Sequence, residues 1–142
     1  MTPRTLTLVL GLIATGAVAH EKVTSKVILA RMDLMIEIRD SAAVLGAMAK
    51  GTIPHDAAAA DRARAALVAN AAKIPAAFRA PDMDPNSEAS PRIWDNFADF
   101  SAEAAALEAA AGTMKTGSAR EIGLGMREVG KTCGSCHQDY RQ

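Results

Sequence analysis

Aromatic residues are almost missing from this chain: Trp94, Tyr140, Phe78, Phe97 and Phe100 are the whole complement among 142 residues. With so few of them, and no apolar–polar alternation along the chain, a sheet protein is excluded. Cysteine is scarcer still. Only Cys133 and Cys136 are present, so a structural disulfide could only close a tiny loop that constrains little of the chain. Neither sign of charge prevails, because 16 Lys and Arg balance 16 Asp and Glu. The charges are interspersed, without a basic block or aromatic-interleaved patch, which sets nucleic acid aside as a partner. After the first residues no apolar run approaches the ~20 needed to span a bilayer, and no segment repeats.

What is present favours helix. Alanine is abundant over residues 57–72 and 98–111, and alanine has the highest helix propensity of any residue. At 49% hydrophobic and 23% charged residues, the chain can build one domain with its own core. Its first residues carry the pattern of an export signal: Arg4, an apolar run from Leu6 to Ala14, and the small-x-small site Ala17-Val18-Ala19. The pattern predicts a cleaved signal peptide over residues 1–19 and a mature periplasmic domain over 20–142, beginning at His20 and without stable membrane insertion. A retained membrane anchor is the alternative, but the run is short for one. Cleavage removes Arg4 and no acidic residue, leaving 15 basic against 16 acidic residues.

Glycine and proline divide the remainder into four helical stretches. From about Glu21 to Lys50, the residues Ile28, Arg31, Met35, Ile38, Ala42, Leu45 and Ala49 recur at steps of three and four, on one helix face. Gly51 and Pro54 end that helix. Asp56 is placed to cap the next, which runs towards Ile74 until Pro75 stops or kinks it. The proline-rich segment from Pro75 to Ser90 reads as a loop. Ser90-Pro91 then opens a third helix with the stripe Ile93, Phe97, Phe100, Leu107, Ala111 and Met114. Ser118 and Glu121 form a capping box ahead of the stripe Ile122, Met126, Val129, Cys133 and Cys136. The expectation is an all-α, antiparallel up-down-up-down four-helix bundle.

Cys133-Gly134-Ser135-Cys136-His137 has the C-x-x-C-H spacing of covalent haem attachment. On a helix, thiols three residues apart can both reach the vinyl edge of one porphyrin, while the imidazole one turn beyond the first thiol can meet the iron. A thioredoxin-like redox pair would call for a strand–helix–strand pattern that is missing. Structural zinc usually takes four ligands, and only three lie together here. The motif therefore predicts one haem c held by Cys133 and Cys136, with iron ligated by His137. Only Gln138 to Gln142 follow it, so a second axial ligand is sought upstream.

In these features the chain resembles the class II c-type cytochromes, the family that includes cytochrome c′. The resemblance runs through Val44-Leu45-Gly46-Ala47-Met48-Ala49-Lys50-Gly51, Ser90-Pro91-Arg92-Ile93-Trp94 and Val129 to Arg141. It implies a haem between the helices, near the end where the fourth finishes, with covalent attachment at the two cysteines. It also implies that Arg31 approaches a propionate, that Arg141 lies beside the proximal face, and that Met35 stands over the iron. Family members divide at that last position. A coordinating methionine gives low-spin iron, and thioether ligation raises the potential; an uncoordinated residue leaves an open, high-spin iron. Met32, Met48, Met114, Met126, His55 and His20 are less well placed for ligation than Met35. Met35 could also simply pack, as helix methionines commonly do.

Two functions follow from the resemblance. The first is a periplasmic one-electron carrier with His137/Met35 ligation, served by periplasmic redox partner proteins. The second is a high-spin protein that binds nitric oxide or carbon monoxide, with Met35 uncoordinated. No catalytic acid or base is evident, so an enzyme is not expected. The resemblance, together with the small side chains Ala57 to Ala60, Ala63, Ala65, Ala66 and Ala69, points to a homodimer.

Overall fold

The computed structural model of the protein describes residues 23–142. The expected signal peptide, its cleavage site and His20 lie outside the described residues. Helix α1 is Lys26–Lys50, α2 Ala57–Ala71, α3 Ile74–Ala77, α4 Arg92–Asp95, α5 Phe97–Gly112 and α6 Ala119–Tyr140. The four long helices form the expected bundle. Helix α1 packs on α2, α2 on α5, α5 on α6 and α6 back on α1, the ring of neighbours of an antiparallel up-down-up-down arrangement. No strand forms among the described residues, where an isolated bridge pairs Ala89 with Arg141. None of their helices is long and apolar enough to cross a membrane.

Local chemistry sets most of the helix ends. Ser25 caps α1 by accepting from the Ile28 N–H at 3.4 Å. At the other end Gly51 adopts φ +72°, a left-handed conformation that glycine enters without a Cβ clash, and its N–H donates to Met48 O at 3.1 Å. Asp56 caps α2 through the Ala59 N–H at 2.8 Å. Ser118 accepts from the Glu121 N–H at 3.2 Å, and its hydroxyl is 3.2 Å from the returning Glu121 carboxylate, so the box closes on the serine side chain.

Three details differ from the sequence reading. Residues 75–90 are not loop throughout: α3 forms at their start, with Pro75 in its first turn, because Ile74 and Phe78 turn into the core. The third helix is interrupted at Asn96, whose φ of −130° and ψ of 42° are not helical. Helix α4 packs against both α5 and α6, and continuing straight from α4 into α5 would give up one of these. The third difference is on α1, where Leu34 and Met48 are buried while Met35, Ala42 and Ala49 are half-buried. A helix touching two neighbours buries a wider arc than a single stripe of three- and four-residue steps.

The core runs the length of the bundle, from Leu34 and Ile38 through Leu45, Leu67 and Leu107 to Ile122 and Val129. At the end where α1 begins and α6 finishes, it becomes aromatic. Phe100 lies 5.3 Å from Phe78 and 5.3 Å edge-on from Tyr140. Tyr140 belongs to the last turn of α6, the helix that carries the C-x-x-C-H motif.

Candidate haem-binding site

Helix α6 continues unbroken through Cys133, Cys136 and His137 to Tyr140. Both cysteines are unpaired, half-buried, and packed against the core cluster. Met35 on α1 packs against that same cluster, as do Trp94, Phe97 and Met126. The helical backbone thus puts two thiols on an inward-facing stripe, with an imidazole one turn after Cys133. His137 itself is exposed.

The electrostatics distinguish among thiol chemistries. Loss of hydration pushes the Cys133 thiol above its ordinary pKa. Cys136 is pushed up to about 11, first by burial and then by the negative neighbours Glu103, Cys133, Asp139 and Asp99. Both are therefore protonated thiols at neutral pH, the opposite of the depressed thiolate that a redox C-x-x-C centre needs. For His137, loss of hydration comes first and the Arg141 charge second; both lower its pKa, while Glu88 pulls the other way. The imidazole is therefore neutral at neutral pH, the state in which a ring nitrogen can ligate a metal. Among the described residues no group of three or more His, Cys, Asp and Glu is arranged to hold a metal ion. The donor set thus fits haem c, two thiols for the vinyl edge and a neutral imidazole for iron.

Side chains around the motif are already engaged. The Ser135 hydroxyl donates to Glu103 at 3.0 Å, joining α6 to α5. The Tyr140 hydroxyl donates to Asp99 at 2.6 Å, and this bond, with burial second, raises the phenol to about 12. Arg141 pairs with Glu88 through both Nε and a terminal nitrogen. Beside it, Ser90 N–H donates to Tyr140 O and Gln142 N–H to Glu88 O, each at 2.9 Å.

Arg31, which the resemblance aims at a propionate, is buried with 2% of its surface exposed. Its Nε donates to Ala77 O at 3.1 Å, one terminal nitrogen to Asp82 O at 2.8 Å, and the other to Ala80 O. Its guanidinium carbon lies 5.1 Å from the Phe78 ring centre and 5.3 Å from that of Trp94. A propionate would therefore share this arginine with three carbonyls. Trp94 completes the arrangement by donating from Nε1 to Phe78 O at 2.8 Å. Phe78 escaped the sequence reading. Its signal was faint: one aromatic residue in a segment otherwise read as loop.

Three other candidate ligands have different surroundings. His55, exposed in the α1–α2 connection, hydrogen-bonds Thr116 O at 2.8 Å. Met48 and Met114 are buried in the core, where Met114 meets Gly125 of α6. Met35 occupies the expected position on α1 and is half-buried against the core, as Met126 is on α6.

Comparison with known proteins agrees with this fold. The sequence profile of the Cytochrome C' family matches residues 26–141. Cytochrome c-556 of Agrobacterium fabrum is 35% identical over 141 residues, covering 96% of this chain and 92% of that protein. The structure of cytochrome c' from Rhodopseudomonas palustris superposes with a TM-score of 0.74 at 30% identity, over 84% of this chain and 98% of that one. A structure of oxidised R. palustris cytochrome c556 gives 0.73 at 30% identity, again over 84% and 98%.

Proposed function

From the membership of this chain in the cytochrome c′ family, whose members carry covalently bound haem c, we propose a periplasmic one-electron carrier. In it Cys133 and Cys136 form thioethers to the haem, and His137 and Met35 ligate its iron. The observation that carries the reading is the unbroken helical C-x-x-C-H segment of α6 beside α1: both cysteines of α6 and Met35 of α1 are half-buried against the bundle core, and the two helices pack on each other. The c-556 relatives support a low-spin iron.

Each residue has a physical task. The thioethers keep the cofactor in place whether or not an axial bond is intact. The neutral imidazole of His137 supplies one strong ligand. Met35 supplies a soft thioether, which favours ferrous over ferric iron. When bound, the haem supplies a one-electron ferric/ferrous couple. A ligand set that does not change between the two states leaves little to rearrange, and rapid transfer needs that.

The test is the ferric spectrum of the purified holoprotein, together with carbon monoxide binding to the ferrous form. Low-spin iron with the methionine–iron charge-transfer band and slow carbon monoxide uptake is expected. High-spin ferric iron with fast uptake would overturn Met35 ligation and install the gas-binding reading.

A further inference from the structure

Arg31 is a buried cation that donates its hydrogen bonds to backbone carbonyls. Its guanidinium is locked by Ala77, Ala80 and Asp82 and sandwiched between Phe78 and Trp94. Among the described residues no carboxylate lies within ion-pair distance of it, and the Asp82 carboxylate acts on it from farther away. Arginine stays charged in proteins, so this is a permanent positive charge held in place from three sides. It lies one helical turn before Met35, about 6 Å along the axis.

We propose that Arg31 sets the reduction potential of the bound haem, its locked positive charge favouring the ferrous state. The proposal rests on the haem lying at this end of the bundle, beside Met35. Reduction adds one electron, supplied by the redox partner, to the iron centre and removes one unit of its positive charge. A fixed cation nearby stabilises the reduced form relative to the oxidised one. A unit charge acting over about two helical turns at an effective dielectric of about 20 changes the ferrous-to-ferric ratio roughly tenfold. For one electron, tenfold is about 59 mV. The three carbonyl oxygens strengthen the contrast. With the charge gone, their negative ends would still face the same space.

The geometry also separates charge from shape. Arg31→Gln keeps a hydrogen-bond donor for the carbonyls but loses the charge. Arg31→Lys keeps the charge and loses the planar fork and its ring stacking. Both variants are structurally inferior to arginine, so a purely structural role moves them together.

The experiment is potentiometric titration of the holoproteins at low salt, with the ferric spectrum recorded on the same samples. Arg31→Gln should lower the midpoint by about 59 mV, a tenfold change, and Arg31→Lys should stay within about threefold of the wild type. Equal shifts in the two variants, or none in either, would overturn the proposal while leaving the carrier reading intact. A high-spin wild-type spectrum would remove Met35 ligation, yet the Gln-against-Lys comparison would still decide the role of the charge. If Arg31→Gln fails to retain haem, Asp82→Asn takes its place. Asp82 is the carboxylate whose charge acts on Arg31, and neutralising it should raise the midpoint; a fall or no change would count against the proposal.

Discussion

Replacing Met35 by leucine separates the chemistry of this position from its packing. Met and Leu are close in volume, and such swaps in a core generally cost less than about 1.5 kcal/mol. Met35 is half-buried rather than buried, which places the expected cost below about 1 kcal/mol. Met35→Ala, by contrast, would fall near the bottom of the range of about 2–5 kcal/mol seen for truncation of buried methionine. The thioether ligand is lost in both. If it binds iron, both variants should turn the ferric protein high-spin, remove the methionine–iron band, lower the potential and accelerate carbon monoxide binding, although their stabilities differ. Spectra, potentiometry and stopped-flow mixing read the chemistry, and denaturant unfolding reads the packing. Met35 ligation is refuted if Met35→Leu keeps a low-spin spectrum with the band intact, or if the spin state follows the loss of stability rather than the loss of sulfur.

Other consequences are as specific. The double variant Cys133→Ala/Cys136→Ala should hold no acid-acetone-resistant haem, and each single variant at most one thioether; normal covalent haem in the double variant would contradict the assignment. Gly125→Ala should destabilise by about 1–3 kcal/mol, because its new Cβ would stand 2.3 Å from Met114 Cγ; adding Met114→Ala should relieve the clash only in part, since the Cβ of residue 114 stands 2.9 Å away, as read by chemical unfolding. The folded Tyr140 phenol is raised from 10.0 to about 12, so its contribution to stability is complete below pH 10 and is lost as pH climbs through about 12. Tyr140→Phe should flatten that alkaline limb of the stability profile. Intact mass of periplasmic protein should place the mature N-terminus at His20, and a chain retaining residues 1–19 would favour a membrane-anchored carrier.

Where a feature depends on residues close in sequence, the chain itself was enough to foresee it. Gly51, Asp56 and the Ser118–Glu121 pair end or begin helices through bonds to their own neighbours. The C-x-x-C-H segment needs only helical backbone to align two thiols and an imidazole. The features that were hidden depend on contacts far along the chain. Arg31 reaches carbonyls 46 to 51 residues away, and periodicity could place it on the inward face without showing what it would meet there. The break at Asn96 likewise follows from tertiary packing, since Trp94 is held by Phe78 O and Arg92 lies 3.5 Å from Asp139 on α6. Nothing within Ser90 to Met114 announces an interruption. Leu34 and Met48 were missed because the second neighbour of α1 leaves no mark in the sequence of α1.

The small bridge at Ala89 and Arg141 ties the motif's last turn to a distant segment. Helix ends usually open on their own, exchanging their amide hydrogens long before the core does. Here residues 140–142 are clipped to 88–90 by two backbone bonds and the Glu88–Arg141 pair, so neither segment can peel away without the other. Opening near His137 becomes one cooperative event shared with a loop some fifty residues earlier, and the imidazole keeps its bearing through fluctuations that would loosen an untethered helix end.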